Sequence, residues 1–223
     1  MDYYIDFDNT LYNTSKLKQN IIEAITKTCI KQNNKLQYDV IFAECTQLFC
    51  KERIYNIYNL CEFINSKYGV NEQMLKKEVN NVIKNGKKFV FDDTVNFLLD
   101  LTKNGVKPIL LTYTDEKNLE YQKRKIKGSG LSKFFKQIIY TTTNKFSLDL
   151  NYQNSVFVDD NPTELIGLSN TNALQIIRVK REGVKYSLIK IDNKNIIEVS
   201  SLKELGNLKS KNFKNPIYFS KSM

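Results

Sequence analysis

The sequence predicts an α/β chain, a doubly wound parallel sheet interrupted near its start by an all-helical insertion. Two observations carry this. From Phe89 onward, short apolar runs of strand length alternate with segments of helical spacing, and that alternation implies βαβ crossovers with helices on both faces of a parallel sheet. A similar short run, "DYYIDF", opens the chain and is separated from the rest by a long, almost unbroken helical pattern.

Taken in order, "DYYIDF" is apolar and aromatic and reads as a strand over Tyr3 to Phe7. After Thr14, "SKLKQNIIEAITKTCIKQ" sets Leu17, Ile21, Ile25 and Ile30 near helical spacing, with Thr14 or Ser15 available as N-cap. Helical patterns continue through "DVIFAECTQLFCKERIYNIYNLCEFINSKYG" and "NEQMLKKEVNNVIKN". "DDTVNFLLDLTKNG" reads as a helix ending at Gly105, "VKPILLTYT" as a buried strand, and "DEKNLEYQKRKIKGSG" as a helix closed by Gly128 and Gly130. The strands "KQIIYTTT", "SVFVDD" and "ALQIIRV" follow, with the short helix "NPTELIGLS" between the last two. The expected division is a core of residues 1–13 and 88–223 and an insertion of residues 14–87. Residues from about Asn207 to Met223 lack periodicity and read as a surface-wrapping or frayed tail.

At 223 residues and 41% hydrophobic content the chain can bury a core. No stretch approaches the ~18 apolar residues of a membrane span, and the N-terminus is acidic, so a soluble, cytoplasmic protein is expected. The net charge of +10 invites a nucleic-acid reading. It is discounted: the positive charge is scattered Lys, Arg stands only at 53, 124, 178 and 181, and the densest runs lack interleaved aromatics for base stacking. Cys29, Cys45, Cys50 and Cys61 form no C-x-x-C pair and read as buried, reduced helix residues. The absence of His removes the commonest general base and transition-metal ligand, so catalysis has to run on carboxylates, hydroxyls, Lys or Cys.

In such sheets, ligands bind beyond the carboxyl ends of the strands. Those ends carry Asp6 and Asp8, Thr112, Thr141 to Lys145, and Asp159 with Asp160. Neighbouring carboxylates repel unless a cation sits between them, and hard oxygen ligands point to Mg²⁺. If the first strand runs on through Asp8, Asp6 and Asp8 project to the same side. Taken alone, "DFDNT" reads equally as a turn with Asn9 and Thr10 capping.

Together, these motifs resemble the haloacid dehalogenase-like hydrolase superfamily. The first motif, D-x-D-x-[TV], stands as Asp6-Phe7-Asp8-Asn9-Thr10; the second, a hydroxyl residue ending an apolar strand, as "PILLT" with Thr112. The basic residue of the third is matched by Lys145, with Lys133 and Lys136 as rivals, and the acidic fourth by "VFVDDNPTE" with Asp159, Asp160 and Glu164. The resemblance implies a Rossmann-like core with a helical cap, and a Mg²⁺-dependent phosphatase acting on a small phosphorylated metabolite. It implies Asp6 as nucleophile, Asp8 as acid and base, and Mg²⁺ held by Asp6, the Asp8 main-chain carbonyl and Asp160. Thr112 and Lys145 would bind phosphate, with Asp159 orienting metal-bound water and Glu164 fixing the loop or Lys145. The dehalogenases of the family lack the second acid of the first motif, so Asp8 favours phosphoryl chemistry. Tyr12, Asn13 and Arg53 are candidates to select the substrate. The competing readings are a phosphotransferase on the same site, a non-catalytic protein keeping the fold, and a nucleic-acid end-processing phosphatase.

Overall fold

The apolar runs pair in parallel, as their alternation predicts. In a computed structural model, which describes residues 1–51 and 56–207, the strands are β1 Asp2–Ile5, β2 Ile109–Tyr113, β3 Gln137–Thr141, β4 Ser155–Asp159, β5 Gln175–Val179 and β6 Ile196–Val199. Among the described residues they form one six-stranded sheet, ordered β3-β2-β1-β4-β5-β6, with every pair parallel. The chain builds outward from β1 on one side and then crosses to β4 on the other. The switch point therefore lies between β1 and β4, where Ile5 is in register with Val158. The sequence expectation of five strands omitted β6. It is a four-residue edge strand, half-buried at its first two residues and exposed at its third, and flanked by polar residues, so it carries almost no pattern.

The helices are α1 Thr14–Gln32, α2 Tyr38–Thr46, α3 Ile57–Tyr68, α4 Glu72–Lys84, α5 Thr94–Lys103, α6 Leu119–Ser129, α7 Pro162–Ser169 and α8 Lys203–Asn207. The chain divides into an α/β unit, Met1–Asn13, Val90–Asp115 and Gly130–Met223, and a helical unit, Thr14–Phe89 and Glu116–Ser129. Thus α6, which the sequence reading left with the core, groups with the helices of the insertion.

Within the α/β unit, alternate residues of the strands, Tyr4, Ile109, Leu111, Phe157 and Ile176, meet Leu165 and Leu168 of α7 in one buried cluster. Tyr4 and Phe157 stack with ring centroids 5.1 Å apart. Burying each such side chain contributes about 1.5–3 kcal/mol. Gly167 of α7 lies so close to Phe146 that a Cβ there would sit 2.0 Å from the ring. Only glycine lets the helix seat on Phe146, the residue after Lys145.

Within the helical unit, α1 buries Leu17, Ile21, Ile22, Ile25 and Cys29, and α4 buries Leu75, Val79 and Ile83. The helical pattern read across residues 39–69 is broken. A π-turn over Gln47–Lys51 ends the first part, and α3 restarts after Asn56, whose side chain accepts the Tyr58 N–H at 2.9 Å. The tail beyond Asn207 lies outside the described residues. Among the described residues, no helix is long and apolar enough to cross a membrane.

Candidate active site

The site grows from the switch point. Strand β1 ends at Ile5, although the Asp6 N–H still donates to the Val158 carbonyl at 2.9 Å. The chain then folds into a tight turn, with the Phe7 carbonyl accepting the N–H groups of Leu11 and Tyr12 and Asn9 at φ 57°, a left-handed conformation that Asn tolerates. The extended spacing expected to aim Asp6 and Asp8 to the same side is therefore replaced by a turn, because the strand stops before Asp6. Asp6 is buried and Asp8 half-buried.

Across the switch point, β4 ends in Asp159, followed by Asp160. One carboxylate oxygen from each of Asp6, Asp159 and Asp160 lies within 4.8 Å of the other two. Lys145, in the 3-10 turn Lys145–Ser147, sends its ammonium to Asp6 Oδ1 at 2.5 Å and Asp159 Oδ2 at 2.6 Å. The Lys145 N–H donates to Glu164 Oε2 at 2.8 Å, so Glu164 fixes the turn that presents the lysine. Asp159 Oδ1 accepts the Asn161 N–H at 2.8 Å, and both of its oxygens are thus engaged in holding Lys145 and the start of α7. Asp160 Oδ1 receives the Thr10 hydroxyl at 3.4 Å, while its Oδ2 is buried without a hydrogen-bond partner.

Burial dominates the electrostatics. It raises the Asp6 carboxyl to about 7 against the lowering charge of Lys145, with Asp159 and Asp8 pushing the same way as burial. Asp160 is raised well above the usual carboxylate range by burial, then by Asp159 and Asp6. Burial alone would lower Lys145, but the charges and hydrogen bonds of Asp159 and Asp6 hold it above its ordinary value, so it stays protonated.

Three carboxylates against one ammonium leave a surplus of two negative charges when all are ionised. A buried surplus of this kind is strongly unfavourable by itself, and so is the orphaned Asp160 oxygen. A hard divalent cation relieves both, and an all-oxygen donor set fits Mg²⁺.

The remaining expected residues fall as follows. Thr112 is buried in β2, two residues beyond the Ile5–Leu110 register pair and so at the same edge of the sheet. Of the rival lysines, Lys136 pairs with Asp2 at the opposite end of the strands, and Lys133 lies over the Phe134 ring. Tyr12 is fully buried with its ring stacked on Phe7 at 4.8 Å, and Asn13 is half-buried. Arg53 lies outside the described residues. Sequence reasoning did not single out Thr10 as a partner of Asp160, nor Arg181, which grips the Thr10 carbonyl. The available signal was rarity: where Lys is the default cation, an Arg marks a place that needs a planar fork.

No family model matches the chain, and no curated protein matches it. Solved structures do. A HAD phosphatase from Thermococcus onnurineus aligns at TM-score 0.58 and 17% identity, covering 93% of this chain and 96% of the other. A 2-haloacid dehalogenase from Pseudomonas syringae pv. Tomato aligns at TM-score 0.60 and 14% identity over 93% and 98%. YfnB from Bacillus subtilis, solved with magnesium bound, aligns at TM-score 0.53 and 13% identity over 94% and 98%. The strand order, the switch-point site and these alignments agree: the chain has the fold of the haloacid dehalogenase-like hydrolase superfamily.

Proposed function

We propose that the chain is a Mg²⁺-dependent phosphatase that hydrolyses a small phosphomonoester through an aspartyl-phosphate on Asp6. The observation that carries this reading is the buried cluster of Asp6, Lys145, Asp159 and Asp160 at the β1–β4 switch point, with a carboxylate oxygen left without a partner. The Asp6 and Asp160 side chains and the Asp8 main-chain carbonyl would hold Mg²⁺, which supplies charge neutralisation between carboxylate and phosphate.

An Asp6 oxygen attacks phosphorus, forming an O–P bond while the ester P–O bond breaks. Asp8 gives its proton to the departing oxygen and then takes one from the water that attacks the acyl phosphate, releasing inorganic phosphate and the Asp6 carboxylate. Lys145, already bonded to Asp6 Oδ1, orients the nucleophile and faces the incoming anion as a point charge, and Thr112 contributes a hydroxyl from β2. Asp8 separates this chemistry from dehalogenation, because a halide leaves without a proton whereas an alkoxide does not. The phosphatase from Thermococcus and the magnesium-bound YfnB are consistent with the reading.

The test is phosphate release from an aryl phosphate with and without Mg²⁺, alongside halide release from a 2-haloacid and a panel of phosphorylated metabolites. Turnover that needs Mg²⁺ and is lost in Asp6→Asn by at least ~10³-fold is expected. Halide release without phosphate release, or undiminished turnover in Asp6→Asn, overturns the proposal.

A further inference from the structure

We infer that Arg181 is a positioning residue of the candidate site, acting through the Thr10 carbonyl to set the Thr10 hydroxyl against Asp160. The inference deepens the proposed function and rests on its metal cluster.

Arg181 lies just past β5 and is buried. Its Nη1 and Nη2 donate to Asp93 Oδ2 at 2.7 Å and Oδ1 at 2.8 Å, a two-pronged pair. Nη2 and Nε also donate to the Thr10 carbonyl, at 3.0 and 3.3 Å. The guanidinium lies over the Phe91 ring, 4.2 Å from its centroid. Asp93 is itself fixed from the C-terminal side, accepting the Ser201 hydroxyl at 2.7 Å and the Leu202 N–H at 2.8 Å. Next to Thr10, the Leu11 carbonyl accepts the Phe91 N–H at 3.1 Å and the Thr94 hydroxyl at 2.9 Å. The turn that follows Asp6 is thus held from outside at two successive carbonyls.

The held residue reaches the metal cluster. Thr10 Oγ1 stands 3.4 Å from Asp160 Oδ1, beyond the ~2.5–3.0 Å of an ordinary hydroxyl–carboxylate hydrogen bond, so the contact is a marginal one. A contact that long is decided by a few tenths of an ångström in the Thr10 backbone, which is what Arg181 fixes. A planar fork can grip two acceptors at once, whereas a lysine ammonium is a single point charge on a flexible stem. Partners of metal ligands commonly change affinity in this way. Arg178 is the contrast: buried more completely still, it donates to the Tyr186 and Ile189 carbonyls and to Glu198, holding a peripheral loop.

The experiment is Mg²⁺ titration calorimetry on the full chain, with thermal melts, for the wild type, Arg181→Lys, Thr10→Val and their combination, with Arg178→Lys as control. Arg181→Lys and Thr10→Val should each weaken Mg²⁺ binding about 10-fold, and the double variant should bind no more weakly than Thr10→Val alone. Arg178→Lys should melt earlier with Mg²⁺ affinity unchanged. If Arg181→Lys does not fold, Asp93→Asn carries the same comparison. Wild-type affinity in Arg181→Lys, or full additivity with Thr10→Val, overturns the inference. A wild type that binds no Mg²⁺ retires the metal reading and this inference together; one that binds Mg²⁺ but releases no phosphate retires the phosphatase reading alone.

Discussion

The two ends of the sheet carry the same chemistry in opposite settings. At the amino end, Lys136 pairs with Asp2 at 2.6 Å, and the two side chains are 44% and 35% exposed. At the carboxyl end, Lys145 pairs with Asp6 at 2.5 Å, where the exposures are 5% and 9%, and Asp159 and Asp160 crowd the same space. Water screens the first pair, which therefore contributes little. Nothing screens the second, and its charges do not balance. A fold selected for stability alone would have no use for the second arrangement, so the imbalance marks that end of the sheet as the candidate site.

The largest break in that comparison is Lys145→Met. With the Lys145 ammonium gone, three buried carboxylates lose the cation that pairs with two of them, and the loss at neutral pH should be about 3–5 kcal/mol by urea denaturation. The pH sign is diagnostic. Asp6 and Asp160 are already raised by burial, so without Lys145 they bind protons more tightly in the folded state, and stability should recover as pH falls from 8 towards 5. Loss of equal size at both pH values would contradict the charge argument. Next comes Mg²⁺ itself: at 100 times its Kd it should stabilise the wild type by about 2.7 kcal/mol and Asp160→Asn far less, read by thermal shift.

A smaller effect separates the carboxylate cluster from its brace. Burial alone would raise Asp93, but hydrogen bonds from Arg181 and Ser201, the Arg181 charge and the Leu202 N–H together hold it below its ordinary 3.8. Its contribution is therefore present above the ordinary value and lost as pH falls through the depressed one. Between the ordinary value and the depressed one, wild-type stability should drop more steeply with acid than the stability of Asp93→Asn; parallel curves would show that the pair is not felt. Smallest of all, Lys136→Ala should change stability by less than ~1 kcal/mol and leave Mg²⁺ affinity untouched.

Much of this was legible in the residues. Strands buried on both faces read as continuous apolar runs, so "VKPILLTYT" and "SVFVDD" announced both themselves and the polar groups at their ends. Lys145 could be preferred over Lys133 and Lys136 because it follows a strand end directly, and the structure sets it on Asp6. Three things were hidden. The turn that replaces extended chain after Ile5 depends on where the ladder stops, which no side-chain pattern records. Strand β6 takes its order from β5 and has little pattern of its own. The bonds from Thr10 to Arg181 and Asp160 span 171 and 150 residues, and separations of that size are invisible until the chain is folded.

The central claim is that Asp6 carries the phosphoryl group. Borohydride reduction during turnover of an aryl phosphate, followed by peptide mass spectrometry, tests it directly, because an acyl phosphate at Asp6 is reduced to homoserine while a free carboxylate is not. Homoserine at position 6, formed only when Mg²⁺ and the phosphate ester are both present, is the predicted result. Continued phosphate release with Asp6 unmodified under the same conditions would contradict it.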